Sequence, residues 1–450
     1  MGLISKIRAK VRKLMAAPIT QDMTTPVTGQ QNLWKQMYTN KSPWLTKNIK
    51  SMNLAATLAA EISRMVTLEI KSGVDDGEVD AIYQREVIKG LRTHIEYGLA
   101  LGGIIFKPYT SGDTVRVDIA QPSDFTILNA ASDGTITEVL FKDYLKYDNS
   151  WYVRLEHHLF SEAAMSYLIR NTVHKSNESG EIKEPLSSYA HIEPWAEILP
   201  ELELQNITAP LFGYYKPAVS NNIDTKSPIG VSVYARAVDI IEMADKQLSG
   251  LLREFRVKEA KQYVSSLAVK NPEKPLPYLE DDYYIKLNTA GGKAGGGEDF
   301  FESYSPEIYV DAYLTGLNEF KKQIEDCIGL AHGTISNVEL MSKTATEVMM
   351  SKQRTYILIT ENQKSLREAL ENTVYAIGVW LKYPTAPPEY AVVTEFSDSF
   401  ITDQEAEMKS MFGDVEAGLI RPEMYIAKKY GVTEEEARAM MPQSEGLLRE

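Results

Sequence analysis

Tyr309-Val-Asp-Ala-Tyr-Leu-Thr-Gly-Leu-Asn-Glu-Phe-Lys-Lys-Gln-Ile-Glu-Asp-Cys-Ile-Gly329, then a polar loop, then Thr344-Ala-Thr-Glu-Val-Met-Met and onward to Lys382, sets the architecture of this chain. Tyr313, Leu317, Phe320, Ile324 and Ile328 recur at steps of three and four, which draws the apolar stripe of a helix. The opposite face carries Asp311, Glu319, Lys321, Lys322, Glu325 and Asp326. Gly329 ends that helix, because a residue without Cβ turns a helix end at least cost. A polar loop runs from Ala331 to Lys343. Thr344 then restarts the helix as an N-cap, with Glu347 completing a capping box. From there to Lys382 there is no proline and one glycine, Gly378, so a single helix of roughly 58 Å is predicted if it is straight. Few single cores need such a rod; a structure shared between subunits does.

The whole chain, at 450 residues, exceeds one ordinary core, so two or more packed regions are expected. With 44% hydrophobic residues it can bury them. A net charge of −14 argues against a general nucleic-acid or anionic-membrane binder, since phosphate binding needs an excess of Lys and Arg. It does not exclude a protein that lets nucleic acid pass without holding it. Cys327 is the one cysteine, so no intrachain disulfide or thiolate cluster is expected, which fits a reducing cytoplasm. No apolar run approaches the length needed to span a bilayer.

Working toward the N-terminus, residues 16 to 50 mix Pro, Thr, Gln and Asn with Trp34, Tyr38 and Trp44. They read either as an arm that binds something larger or as a loop with packed anchors. Residues 1 to 15 carry five basic residues and no acids on a helical pattern, suited to docking on a neighbouring surface. Asn53 opens a helix with Leu54, Leu58, Ile62, Met65 and Val66 on one face, and a second helix is predicted from about Glu78 to Leu101. Its end, Gly98-Leu-Ala-Leu-Gly-Gly103, permits close backbone approach. The period then changes to two, with strands predicted at Ile104 to Tyr109, Val115 to Ile119, Ile136 to Phe141, Trp151 to Phe160 and Met165 to His174. His157 and His158 point to opposite faces of their strand and are expected at the surface. Ser227 and Pro228 are predicted to supply an N-cap and an N1 proline to a helix with Tyr234, Val238, Ile241, Leu248, Leu252 and Phe255 in its stripe. The polar run before it, from Ser220, reads as a capping turn or as an anion site at that helix N-terminus.

Residues 261 to 306 change character. Pro272, Pro275 and Pro277 precede Glu280-Asp-Asp282, a short strand at Tyr283 to Leu287, and Gly291-Gly-Lys-Ala-Gly-Gly-Gly297. This is a small α/β module held out between two helices. Lys293 is followed by Ala294, not by the Ser or Thr that a nucleotide P-loop needs to reach magnesium. Glu280, Asp281 and Asp282 are adjacent and cannot all converge on one cation, so a solvated acidic turn is expected. The six histidines have no metal-ligand spacing and no Gly-x-Ser-x-Gly elbow occurs. The chain is therefore not expected to be an enzyme or to hold a cofactor or metal. Toward the C-terminus, Tyr390 to Phe396 adds a strand, followed by short helices from about Thr402 to Gly418, from Pro422 to Gly431, and after Thr433.

The run Phe212-Gly-Tyr-Tyr-Lys-Pro-Ala-Val-Ser-Asn-Asn-Ile-Asp-Thr-Lys-Ser-Pro-Ile-Gly-Val-Ser-Val-Tyr-Ala-Arg-Ala237 resembles the portal proteins of tailed bacteriophages, in particular long-tailed phages of Gram-positive hosts. Thr344-Ala-Thr-Glu-Val348 and Asp414-Val-Glu-Ala-Gly-Leu-Ile420 are similar to that family too. The resemblance implies an α+β, portal-type fold with wing, helical stem, small α/β clip, long kinked helix and short helical crown. Its parts would be an N-terminal arm over 1–50, a wing over 51–227, stem helices over 228–260 and 307–330, a clip over 261–306, a tunnel loop over 331–343, a long wing helix with a return strand over 344–395, and a crown over 396–450.

The family implies a ring, most often of twelve copies, at one capsid vertex, through which double-stranded DNA enters and leaves. The implied partners are other copies of the chain, the terminase large subunit, the scaffold and major capsid protein, and a head-completion adaptor, with no membrane. The implied location is the virion, and host cytoplasm during assembly. Asn337, Glu339, Met341, Ser342 and Lys343 of the tunnel loop, with Lys321 and Lys322 of the stem, would face the DNA channel. Glu280, Asp281, Asp282 and Lys293 would lie on the clip's partner surface, and the Trp34 to Trp44 arm would embrace a neighbouring subunit. About twelve copies at −14 each put a charge near −170 on the ring, which disfavours DNA adhering to the bore. Two other readings compete: a metal-dependent nuclease or hydrolase using the 280–282 acids, and a monomeric DNA-binding adaptor, which the net charge disfavours.

Overall fold

Helix α1 spans Thr25–Tyr38 and opens the part of the chain that the computed structural model describes: residues 25–112, 114–177, 182–258, 261–265, 284–287, 301–304, 307, 309–337, 345–384, 390–396, 411–415, 417–430 and 434–440. The basic segment expected over residues 1 to 15 lies outside them. Trp34 is 1% exposed and shares a core with the helices and strands that follow. The Tyr234 hydroxyl donates to its carbonyl at 3.0 Å. Trp44 donates Nε1–H to Asp245 at 2.9 Å. These anchors correct the expectation of an arm embracing a neighbour with Trp34 and Trp44. Burying an indole removes on the order of 200 Å² from water, worth several kcal/mol, and the chain's own core supplies that site.

Helix α2 (Leu54–Val66) begins at Asn53, as predicted, and buries Leu54, Leu58, Ile62, Met65 and Val66. A short strand, β1 (Lys71–Val74), precedes α3 (Gly77–Glu86), whose first turn is capped by the Asp76 carboxylate accepting from the N–H groups of Glu78 and Val79. The single helix predicted to Leu101 is broken by a 3₁₀ turn at Ile88–Gly90 before α4 (Leu91–Leu101). The turn re-aims the apolar stripe, so that Val79, Ile82 and Tyr83 before it and Leu91, Ile95 and Leu99 after it reach one core. Gly102 closes α4 with φ 91°, and a Cβ there would stand 2.7 Å from the Gly230 carbonyl oxygen. The close approach expected of this glycine-rich end is present.

The strands follow. β2 (Ile104–Ser111) and β3 (Thr114–Ala120) pair antiparallel. β4 (Phe125–Ala130), β5 (Ile136–Tyr147), β6 (Ser150–Ser161), β7 (Ser166–Ser176) and β8 (Ile182–Pro185) form an antiparallel sheet in that order, with β9 (Glu201–Gln205) also on β7. β10 (Gly213–Tyr215) returns to the far edge of β2. β4, β9 and β10 were not predicted; each has six residues or fewer, too few for a period to show.

No helix starts at Ser227. Residues Ile229 to Tyr234 are all buried in irregular chain, and α5 begins only at Val238 and ends at Val257, after a 3₁₀ turn at Ala235–Ala237. The polar run is consumed by its own loop. Asn221 Oδ1 accepts from the N–H groups of Ile223 and Asp224, its Nδ2 donates to the Ile229 carbonyl at 3.0 Å, and Ser227 Oγ accepts from Ile229 N–H. Those residues need no anion. Leu252 and Phe255, predicted for the buried stripe, are 38% and 41% exposed because α5 outruns the core there.

Between α5 and the next helix lies a three-stranded sheet. β11 (Lys261–Ser265) is central, parallel to β12 (Tyr284–Leu287) and antiparallel to β13 (Phe301–Tyr304). Helix α6 (Val310–Ile328) then packs back along α5, and Gly329 ends it in the left-handed conformation, as predicted. The long helix α7 (Ala345–Lys382) has 38 residues, about 57 Å at the standard rise. Its predicted cap, Thr344, lies outside the described residues. β14 (Val392–Glu395) pairs with β1, so the return strand predicted near Tyr390 closes the region that α2 opened. α8 (Pro422–Tyr430) and α9 (Glu434–Met440) follow among the described residues. The fold is mixed α+β.

Two features fix α7 in place. A Cβ on Gly213 would lie 2.0 Å from the Ala369 carbonyl oxygen and 2.2 Å from Thr373 Oγ1, so β10 lies flush on the helix backbone. The fully buried Asn362 accepts from the Tyr215 hydroxyl at 3.0 Å and from Ala218 N–H at 3.1 Å, and donates to the Leu358 carbonyl at 2.7 Å. The segment that carries the family resemblance is thus wedged between α4 and α7.

Candidate functional site

The loop after α6 is built on one carboxylate. Glu325 is 0% exposed; its Oε1 accepts from Ile335 N–H at 2.7 Å and Ser336 N–H at 2.9 Å. Its Oε2 accepts from the Ser336 hydroxyl at 2.7 Å and from Gly333 N–H at 3.3 Å. A buried charge is tolerated only when protein donors replace the lost water, and four do so here. Ala331 N–H donates to Thr355 Oγ1 of α7 at 2.7 Å, which ties the loop to the long helix as well. Asn318 and Asn337 bond reciprocally, with Asn337 N–H on Asn318 Oδ1 at 2.7 Å and Asn318 Nδ2 on the Asn337 carbonyl at 3.2 Å.

Outside this clamp, Asp326 Oδ1 accepts from Arg354 Nη1 at 2.7 Å and meets His332 Nε2 at 3.0 Å. The Arg354 hydrogen bond, followed by that from His332, holds the Asp326 carboxyl below its usual value. Residues 331–337 are therefore wrapped onto the helix junction. Of the channel residues predicted on this loop, Asn337 is exposed at its anchored end, and Glu339, Met341, Ser342 and Lys343 lie outside the described residues. Lys321 and Lys322 are half-buried on α6, with Lys322 Nζ 3.9 Å from Glu319. Glu280, Asp281, Asp282 and Lys293 of the inserted module also lie outside the described residues.

The sequence reading placed Glu325 on the polar outer face of its helix; the structure buries it. A signal existed. Two acids in the last turn of a helix oppose the negative end of its dipole, an arrangement that needs local donors to persist. The small and polar residues Gly333 to Ser336 supply them.

A second polar cluster lies inside the sheets. His157 and His158, expected at the surface, are 1% and 3% exposed, although they do face opposite ways. Both sides of β6 are covered: Val153 and Leu155 are buried on the His157 side, and Phe160 on the His158 side. His157 Nε2 meets Glu138 at 2.7 Å. Tyr167 OH bonds His158 Nδ1 at 2.7 Å, and His158 Nε2 bonds Glu156 Oε1 at 2.8 Å. Glu156 Oε2 also meets Lys107 Nζ at 3.0 Å and Arg154 Nη2 at 3.1 Å.

Burial alone would raise the Glu156 carboxyl, but Lys107, His158 and Arg154 together hold it well below the usual range. Burial lowers His158 against the pull of Glu156, and burial raises the Tyr167 phenol well above its ordinary value. A neutral imidazole fits this chain of bonds, with the phenol donating to Nδ1 and Nε2–H donating to the carboxylate. The order of groups is that of an acid–base relay, yet Tyr167 is 0% exposed and no substrate can reach it in this conformation. What the cluster does is cross-link β2 to β6 through Lys107 and Glu156.

Among the described residues no group of three or more His, Cys, Asp or Glu is gathered as a metal site, and no helix is long and apolar enough to cross a membrane. Compared with known families and with curated proteins, the chain matches no family model and no curated sequence.

Proposed function

We propose that this chain is a phage portal protein. In this reading about twelve copies form a ring at one capsid vertex, DNA passes through its bore during packaging and ejection, and the ring docks a terminase and later a head-completion adaptor. The observation that carries the reading is an order of elements. An α+β body leads into α5, a small sheet is inserted at the far end of α5 and α6, and a clamped loop then delivers the chain to a 38-residue helix that recrosses the body. A helix of that length against a body this size suits a subunit that shares its long elements with neighbours. In portal terms the body is the wing, α5 and α6 the stem, β11 to β13 the clip, and α8 and α9 part of the crown.

The acidity of the chain agrees with a conduit, since a bore that repels phosphate does not retain its cargo. The scaffold and the major capsid protein are the partners expected during assembly, and the virion is the expected location. The test is the mass and shape of the purified full chain. A ring of a dozen 50.5 kDa chains gives a species near 600 kDa with a central hole in negative stain. A monomer or dimer at every concentration would sink the proposal.

A further inference from the structure

One stretch of this acidic chain has no acid at all. Between Asp22 and Glu61, in a sequence with 62 Asp and Glu, the charged residues are Lys35, Lys41, Lys47 and Lys50. The end of that stretch lies against α5, and the groove between them has a volume of about 390 Å³. Lys50, Lys246, Arg253 and Arg256 line it, with Ser249 and Leu252 among them. Lys47 is exposed in the turn beside it, where Thr46 Oγ1 accepts from the N–H groups of Asn48 and Ile49. The walls are fixed. The buried Asp245 of α5 accepts from Trp44 Nε1–H at 2.9 Å and Met52 N–H at 2.7 Å, and Ser249 Oγ accepts from Lys50 N–H at 2.8 Å.

The acids of α5 leave this charge standing. Glu242 pairs with Lys246 at 2.6 Å, Glu254 pairs with Lys258, Asp245 is turned inward, and Asp239 lies two turns before Lys246. Among the described residues none forms an ion pair with Lys47, Lys50, Arg253 or Arg256. A helix C-terminus attracts cations through its dipole, which accounts for Arg256 in the last turn of α5. It does not account for Lys246 in the middle of the helix, or for Lys47 and Lys50 on another segment. Lys246, Arg253 and Arg256 follow one side of α5 over roughly 15 Å at the standard rise, with Lys50 across the groove from them.

We propose that the groove between Asn48–Lys50 and α5 binds the phosphodiester backbone of a nucleic-acid strand. Cations spaced along a row match an anion that repeats, and arginine forks suit phosphate oxygens. None of the lining residues is aromatic, so the bases have no platform to stack on and binding follows charge rather than sequence. The net charge of −14 does not prevent this. At about 0.1 M salt charges more than about 10 Å away are largely screened, whereas contacts inside the groove are not. An anionic membrane presents a broad surface that does not enter a groove. An acidic peptide needs apolar anchors, and the lining offers Ile49 and Leu252 alone. Every lining residue belongs to one chain, so the inference stands apart from the ring reading.

The test measures binding of the full chain to a labelled DNA duplex, and to one of its strands, by fluorescence anisotropy between about 50 and 200 mM salt. Three or four neutralised phosphates give a slope of log K against log salt near −3 for the duplex and a shallower one for the single strand. R253Q/R256Q should weaken binding at least roughly tenfold at about 0.1 M salt and make the slope shallower by about two. R64Q/K364Q removes the same charge from exposed sites elsewhere and should bind within about twofold of the parent. R253K/R256K keeps the charge and should bind within about fivefold, which separates lost contacts from misfolding. A parent chain that binds neither DNA at about 50 mM salt, or an equal loss in R64Q/K364Q, would overturn the proposal. Tighter binding to polyglutamate or to phosphatidylserine vesicles, abolished in R253Q/R256Q, would assign the groove to an acidic protein or a membrane and overturn it too. DNA binding of the expected kind by a chain that stays monomeric would sink the ring reading and leave the groove.

Discussion

Ser336 gives Glu325 two hydrogen bonds, one from its backbone N–H at 2.9 Å and one from its hydroxyl at 2.7 Å, and the carboxylate that accepts them is fully buried. The pair closes the turn between α6 and the loop. In E325Q the amide NH₂ would face donors that need an acceptor. A charge-assisted bond is lost and a buried donor is left unpaired, a cost of about 2 kcal/mol or more. Hydrogen exchange at Gly333, Ile335 and Ser336 should then be roughly thirtyfold faster than in the parent, with exchange in β5 to β7 unchanged. Equal protection in the variant would show that the carboxylate does not hold the loop.

Stability should fall in acid by two steps traceable to the buried cluster. His158 is held below the 6.5 of a free imidazole, so the folded state keeps it neutral while the unfolded chain takes up a proton. Its contribution is fully present above 6.5 and is lost as pH falls from there toward the lower folded value. Glu156 is held well below 4.5, so its contribution is present above 4.5 and is lost only at lower pH. H158Q should be less stable than the parent at pH 7 but should show a flatter dependence of Tm between about pH 6.5 and pH 5. Parallel profiles would remove His158 as the source of the first step.

Gly213 should tolerate no side chain. The first atom of one would meet the α7 backbone at 2.0 Å, and backbone cannot swing aside as a flexible side chain can. G213A should therefore lose several kcal/mol or fail to fold, at the overpacking end of core substitutions. Gly77, the first residue of α3, has nothing within 4 Å of a built Cβ, so G77A serves as a control and should be neutral or slightly stabilising. Equal solubility and Tm in the two variants would contradict the flush packing of β10 on α7.

What the sequence disclosed divides along the range of the interactions. The α5–α6 return, the strand run from Ile104 to His174, the stop at Gly329 and the strand closing on β1 rest on local period and on glycine. Those signals survive without tertiary context. The exposure of His157 and His158 and the helix start at Ser227 were misread, because each depends on what packs across from it. A strand covered on both faces does not show its second cover in its own alternation. Ser227-Pro228 has the composition of a helix start, but the buried run from Ile229 to Tyr234 keeps the chain irregular until the 3₁₀ turn at Ala235–Ala237 leads into α5. Glu325 was hidden in the same way: its position on the helix reads as solvent-facing, and only the loop's return buries it.

The last prediction concerns the loop as a channel element, and it follows from the proposed function. Residues 331–337 are anchored by Glu325, Thr355 and Asn318, so in a portal ring they would form the loop's base and the remaining residues, up to Lys343, its DNA-facing part. That part carries Glu339, Met341, Ser342 and Lys343, one acid and one base, a mixture that touches phosphate without a strong grip. Adding lysines shifts the balance, because each phosphate contact neutralised strengthens binding and steepens its salt dependence. E339K/S342K should slow DNA passage or stop packaging early while leaving the ring mass unchanged. N337K, on the anchored base, should have a smaller effect. High salt should relieve the block in E339K/S342K, since the added contacts release counterions. Packaging at the parent rate, in rings of verified mass, would show that this loop does not line the path of the DNA.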